Sequence, residues 1–177
     1  MKVANIPHSP VYIRKTFTMS DLLRRADGLG RARWTDLPDV PGIYVVYWTT
    51  DTSPEFMDDA GKAMFATPTN SPHLRMKWDK IQSAIPTDII YFGKADNIRR
   101  RVRLLIRFGV GKANNHQGGE WIWQIREIAS AEVLVQSCPS GKQLAFENWL
   151  LYTFYADHND YPLANRKGPE GSARWRP

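Results

Sequence analysis

Tyr91-Phe92-Gly93-Lys94-Ala95-Asp96-Asn97-Ile98-Arg99-Arg100-Arg101-Val102-Arg103-Leu104-Leu105-Ile106-Arg107 contains the change of period on which the fold turns. The apolar run Asp88-Ile89-Ile90-Tyr91 reads as a short buried strand that breaks at Gly93, and a helix capped by Asp96 or Asn97 follows. At about 100° per residue, Ile98, Val102, Leu105 and Ile106 share one side of that helix, with Leu104 and Phe108 on its border. Arg99, Arg100, Arg103 and Arg107 fan across the opposite side. Arg101 stands apart, projecting between Phe108 and Leu105 toward the protein body. A guanidinium directed inward needs an acid to bridge to or a role at a site, because burying the charge alone is costly.

The same stretch concentrates charge. From Tyr91 through Lys112 there are seven Lys or Arg (94, 99, 100, 101, 103, 107, 112) against one acid, Asp96. That excess of six equals the formal charge of the whole chain, +6. A positive field gathered on one helix points to a polyanionic partner, with a solubilising surface as the plainer alternative.

Length and composition set the frame. A chain of 177 residues, 42% hydrophobic and 12% aromatic, suffices for one globular domain with a core and an added arm. Its seven Trp serve a core first and nucleic-acid stacking second. The single Cys138 excludes an internal disulfide framework and fits a reducing compartment. Met1 to Pro7 has no apolar stretch of the secretory kind, and no apolar run approaches the ~20 residues that cross a bilayer. The expectation is a soluble, cytoplasmic protein with no membrane partner.

Residues 1–37 read as an extension packed on the core, with Ser20 capping a helix from Asp21 to Asp27. Pro41-Gly42 then opens the strand Ile43-Tyr44-Val45-Val46-Tyr47-Trp48, with Tyr44 and Val46 on one face and Ile43, Val45 and Tyr47 on the other. Residues 49–87 form a long, proline-punctuated insertion, regular only from Leu74 to Ala84, and read as a lid or an added contact surface. In the polar loop 111–119, His116 beside two glycines could approach a phosphate or be merely solvated. A helix from Glu120 to Ile128 and a strand from Ala131 to Gln136 follow.

Ser140-Gly141-Lys142-Gln143 has capping-box spacing and opens a last helix to about Tyr155. With Glu147 at zero on the wheel, Leu151 lies at ~40°, Leu144 at ~60°, Leu150 at ~300° and Phe154 at ~340°. Glu147 is thus central to an apolar face, where a carboxylate must be paired, protonated or bound to a metal. Asn165 follows in Pro162-Leu163-Ala164-Asn165, and residues 168–177 read as a basic, flexible tail.

Taken in order, these residues resemble the GIY-YIG nuclease family. Gly42-Ile43-Tyr44 is similar to the first signature strand and Tyr91-Phe92-Gly93 to the second, with Lys94 where a basic residue often follows. Arg101, ten positions beyond the signature tyrosine, matches the family's catalytic arginine. Glu147 matches its metal-binding glutamate, Asn165 its terminal asparagine, and His116-Gln117-Gly118-Gly119 a histidine-glycine segment of some members. The resemblance spans residues 38–167. Two departures are the long insertion between the signature strands and Leu105, where some members carry Tyr or His.

The resemblance implies an α/β (α+β) fold: a small, three-stranded, mainly antiparallel sheet flanked by helices. It implies a divalent-metal-dependent endonuclease of DNA using one Mg²⁺ or Mn²⁺ ion held by Glu147. Within that reading the compact size suits a restriction-type enzyme on duplex DNA, with repair, mobile-element, toxin and phage-defence roles open beside it. Tyr44 would act as general base or proton relay, Arg101 would stabilise the transition state, and Tyr91, Lys94, His116 and Asn165 would complete the catalytic set. Arg99, Arg100, Arg103, Arg107 and Lys112 would hold the DNA backbone, and cutting both strands would call for a homodimer. The rival readings are a non-catalytic nucleic-acid-binding module on the same fold and a protein-interaction module built on the insertion.

Overall fold

The structure is a computed structural model that describes residues 12–28, 34–57, 71–112 and 117–169. Its elements run β1 (Arg14–Thr18), α1 (Met19–Asp27), β2 (Gly42–Tyr47), α2 (Ser71–Ala84), β3 (Ile89–Ala95), α3 (Ile98–Gly109), β4 (Glu132–Ser137) and α4 (Gln143–His158). Strands and helices combine in one mixed α/β architecture around a single antiparallel sheet of order β1-β4-β2-β3. The sheet has four strands rather than the three expected. The addition is β1, part of the N-terminal extension, which pairs with β4 through Phe17 opposite Val133. Arg-Lys-Thr-Phe-Thr has one apolar residue in five and is mostly exposed, so it shows no strand alternation to read.

Both faces of the sheet are buried, and alternation along each strand sorts its residues between two clusters. Tyr44, Val46, Tyr91, Val133 and Val135 pack with Ile98, Val102, Leu105 and Ile106 of α3 and with Met19 and Leu22 of α1. Ile43, Val45, Phe92 and Leu134 pack with Ile81 of α2 and Leu151 and Phe154 of α4. The apolar stripe of α3 is therefore its buried side, each fully buried side chain contributing about 1.5–3 kcal/mol. Asn97 caps the helix, its side chain accepting from the Arg100 N–H at 2.8 Å.

Several local expectations are corrected. β3 does not break at Gly93 but continues to Ala95, paired with β2 on both sides of a register shift at Ile90. Thr18 rather than Ser20 caps α1, its side chain accepting from the Asp21 N–H. The stretch 117–130 forms two 3₁₀ segments, Gln117–Gln124 and Ile128–Ser130, instead of one α-helix. There the Gln124 carbonyl accepts from Met57 N–H and Ile125 bridges to Phe56, which diverts the backbone from α-helical pairing. α4 begins without a side-chain cap, and Gln143 donates instead to the Asp96 carboxylate. Among the described residues no helix is long and apolar enough to cross a membrane.

The free edge of β3 decides where the functional side chains stand. In an antiparallel ladder alternate residues turn their backbone groups outward, here Ile90, Phe92 and Lys94. Ile90 O accepts from Ala164 N–H at 2.9 Å. The Asn165 side chain accepts from Phe92 N–H and donates to Phe92 O, both at 2.9 Å. Glu147 Oε1 accepts from Lys94 N–H at 2.9 Å. An edge that would otherwise offer a template to another strand is covered by the C-terminal segment and by α4.

Candidate functional site

Tyr44 is the innermost member of the site. Its side chain is 0% exposed and crosses directly over Gly93 on the neighbouring strand, where a Cβ would overlap the ring. Glycine is needed at 93 because that ring occupies the space of a side chain. Tyr91 lies on the same face, its ring 5.7 Å from that of Tyr44 at an interplanar angle of 43°. The two hydroxyls are hydrogen-bonded, and the Arg101 guanidinium donates to the Tyr44 hydroxyl.

Electrostatics follow from this burial. Loss of water raises the Tyr44 pKa above its ordinary value, against a smaller lowering by Arg101. Tyr91 is raised well above its ordinary value by burial, by its partner Tyr44 and by Glu147. Burial opposes the charge on Arg101, but Tyr44, Tyr91 and Glu147 more than offset it, and its pKa is raised. The cation near the phenols therefore does not make either of them an acid of near-neutral strength. At both phenols burial outweighs the neighbouring cation.

Arg101 occupies the inward position expected from the wheel, half-buried at the border of the apolar stripe. Its Nε is enclosed and has no hydrogen-bond partner among the described residues. The partner on its other side is a phenol, not the core carboxylate a structural bridge would need. Glu147 acts on it through space, as it does on Tyr44 and Tyr91. Strands β2 and β3 and helices α3 and α4 thus each deliver a polar group to one place.

Glu147 keeps its wheel position. Leu151 and Phe154 are buried as expected and the Glu147 side chain is only 12% exposed, whereas Leu144, nearer the start of α4, is 38% exposed. The carboxylate is paired, as its largely covered place on an apolar face requires. Its Oε2 lies 3.5 Å from Lys94 Nζ, whose side chain is 30% exposed. The same carboxylate accepts a backbone N–H, braces the sheet edge and faces an accessible ammonium.

Asn165, expected in the catalytic set, has its amide committed at both ends to the Phe92 backbone and positions the strand. Lys77, which no sequence pattern singles out, fixes the segment that carries Asn165. Its ammonium donates to the carbonyls of Pro162 at 2.9 Å, Leu163 at 3.2 Å and Asn165 at 3.0 Å. A lone Lys on a helix carries no local sign of partners 85 to 88 residues away. His116 and the tail from residue 170 on lie outside the described residues.

The basic helix face also divides. Arg99 donates to Leu37 O at 2.9 Å, Thr35 O at 3.2 Å and Asp39 Oδ2 at 3.0 Å, so it is a strut for the loop before β2. Lys112 donates to Ala26 O and Arg107 to Lys112 O. Arg100 and Arg103 join Arg107, Trp34 and Leu104 around a groove of about 680 Å³. That groove lies on the opposite side of α3 from Arg101.

No protein-family model, curated protein or solved structure matches the chain.

The fit of a metal rests on the donors themselves. Among the described residues no group of three or more His, Cys, Asp or Glu is placed to hold one. Glu147 offers one hard carboxylate at a partly open rim, which suits an ion that keeps most of its waters. Lys94 Nζ is already near that carboxylate, so an incoming cation would compete with an ammonium.

Proposed function

We propose that this protein is a divalent-metal-dependent endonuclease that hydrolyses phosphodiester bonds of duplex DNA. The observation that carries the reading is the convergence of Tyr44, Tyr91, Arg101, Lys94 and Glu147 from four elements. The order of these residues along the chain resembles GIY-YIG nucleases, and chemistry of that kind supports the reading further.

Phosphodiester hydrolysis needs stabilisation of the extra charge on phosphorus and help for the leaving oxygen. Arg101 suits the first of these needs, because its fork matches phosphate oxygens and its Nε has no protein partner among the described residues. Tyr44, buried and bonded to that fork, holds the guanidinium in orientation. Glu147 would hold one Mg²⁺ or Mn²⁺ ion, which when bound supplies a Lewis acid for the scissile phosphate. Lys94 stands beside the carboxylate to orient a phosphate oxygen. The Tyr44–Tyr91 pair, with both pKa values raised, passes or retains a proton instead of generating a phenolate.

Arg100 and Arg103 on the outer face of α3 are the backbone contacts of this reading, with Arg107 behind them. Such contacts give affinity without sequence information and a steep salt dependence. One observation favours the rival reading of a non-catalytic nucleic-acid module: the Lys94–Glu147 pair, which can stand as a purely structural bridge. Supercoiled plasmid with Mg²⁺ or Mn²⁺ separates the two. Nicked or linear product that a chelator and Glu147→Ala both abolish is the expected result. Intact duplex, branched and single-stranded DNA with both metals would overturn catalysis.

A further inference from the structure

Beside the β3 edge lies a cavity of about 300 Å³ that the proposed reaction does not use, lined by His73, Lys77, Trp121, Asp160, Tyr161 and Arg166. Trp121 lines it and is half-buried. Lys77 Nζ stands 5.4 Å from the centre of its ring and Arg166 Cζ 5.7 Å. The His73 ring meets it edge-on at 5.4 Å. Two cations so close to one indole enrich the site in positive field beside a flat apolar surface.

The donors there are unequally committed. Lys77 uses its three N–H groups on the carbonyls of Pro162, Leu163 and Asn165, so it contributes charge but no free donor. Burial pulls its pKa down to about 8, which leaves it protonated at neutral pH. Arg166 gives one nitrogen to Glu120 Oε2 at 2.7 Å, and its side chain is 43% exposed. Arg166 and His73 both line the cavity. Asp160, the one carboxylate among the described lining residues, is bonded to Lys80 at 3.0 Å.

Size and place narrow the ligand. The volume is at the lower end of the ~300–1,000 Å³ typical of small-molecule pockets, room for one planar ring with an anionic group and not for a duplex. Asn165 lines the cavity and its side chain is fixed at Phe92, two residues from the Lys94 N–H that Glu147 accepts. The cavity, through Asn165, and Glu147 thus attach to the same edge of β3 two residues apart.

We infer that this cavity binds one nucleotide of the substrate strand beside the bond that is cut, its base against Trp121 and its phosphate at Arg166 and His73. The inference rests on the endonuclease reading for its neighbour but stands on the cavity for its ligand. A nucleotide unit within a strand and a free mononucleotide share this chemistry, so binding is measured for both. Base-on-indole stacking is sequence-tolerant, and discrimination would come from the polar rim.

Calorimetric titrations in the presence of a chelator use a short single-stranded oligonucleotide, a 5′-mononucleotide, the matching nucleoside and inorganic phosphate. The oligonucleotide and mononucleotide are expected to bind, with nucleoside and phosphate at least about tenfold weaker. Trp121→Leu and Arg166→Gln should each weaken oligonucleotide binding about tenfold, Trp121→Phe should restore most of it, and thermal melts should report an intact fold. Cleavage by these variants should slow with base preference next to the cut nearly unchanged, because neither stacking nor a phosphate contact reads the base. If Trp121→Leu and Arg166→Gln bind and cut like the parent, the subsite is overturned while the endonuclease reading stands. Trp121-dependent mononucleotide binding in a protein that cuts no DNA would uphold the pocket as a nucleotide site and sink the endonuclease.

Discussion

Arg99 and Arg101 stand two residues apart on one helix, and the two sides of α3 have put them to opposite uses. On the outer side Arg99 spends its guanidinium on two backbone carbonyls and Asp39, holding a loop in place. On the inner side Arg101 meets Tyr44 and keeps an enclosed Nε without a partner among the described residues. Satisfied donors indicate a structural role. An unsatisfied one in a half-buried cation, ringed by phenols and a carboxylate, indicates a group kept for something else. Net charge alone would have assigned both to the same ligand.

The largest effect should come from the inner side. Arg101→Ala is expected to lower plasmid cleavage about 10²- to 10³-fold, the usual consequence of removing one positioned donor to a developing anion. DNA affinity should hardly change, because the outer groove is intact. Arg101→Lys should not restore the rate, since an ammonium cannot reproduce the fork. Recovery by Lys would show that only charge is needed there and would weaken the parallel between Tyr44 orientation and catalysis.

Gly93→Ala tests the packing that brings the inner side together. A methyl at that position meets the Tyr44 ring, which cannot retreat because it is fully buried. Overpacking of this kind costs about 1–3 kcal/mol, to be read as a lowered denaturation midpoint, with cleavage falling alongside. Tyr44→Phe leaves the ring in place and should not relieve the clash. Unaltered stability in Gly93→Ala would mean the ring has room that the structure does not give it.

How much of this was open to reading from residues depends on distance along the chain. The α3 stripe was legible because Ile98, Val102, Leu105 and Ile106 repeat at helical spacing, and the inward bearing of Arg101 followed from the same wheel. The strand through Gly93 was misread because glycine signals a break locally, whereas its cause is Tyr44 on another strand. β1 was invisible for want of apolar residues. The fate of Arg99 depended on Thr35, Leu37 and Asp39, and that of Asn165 on Phe92 and Lys77, all of them remote in sequence. For Glu147 the wheel gave the anomaly, a largely covered carboxylate on an apolar face, but not its partner, because Lys94 lies on a strand remote in sequence.

The outer side can be sharpened by contrast. Arg103→Ala should leave the melting midpoint unchanged and reduce the salt slope of DNA binding by about 0.9, the share of one phosphate contact. Arg99→Ala should do the reverse: about 1–2 kcal/mol of stability lost through carbonyls left without a donor, with the salt slope nearly intact. If Arg99→Ala flattened the slope as much as Arg103→Ala, the division of labour along α3 would be mistaken.

The smallest signal discriminates most finely, because it concerns how Tyr44 handles a proton. In the unfolded chain a tyrosine ionises near pH ~10, whereas burial holds Tyr44 and Tyr91 above that value in the folded protein. Between about pH 10 and their raised values the unfolded chain has lost protons that the native state retains. Stability must therefore fall as pH rises through that window, and it carries no such penalty below it. The Tyr44 share of the tyrosinate absorbance, read as the difference between the parent and Tyr44→Phe, should be absent between about pH 7 and 8 and should appear on the alkaline side in step with loss of structure. Tyr44→Phe removes one of the two groups and should make the alkaline decline shallower. Phenolate absorbance near pH ~8 in the native protein, lost in Tyr44→Phe, would restore Tyr44 as a base and reverse the assignment of roles within the cluster.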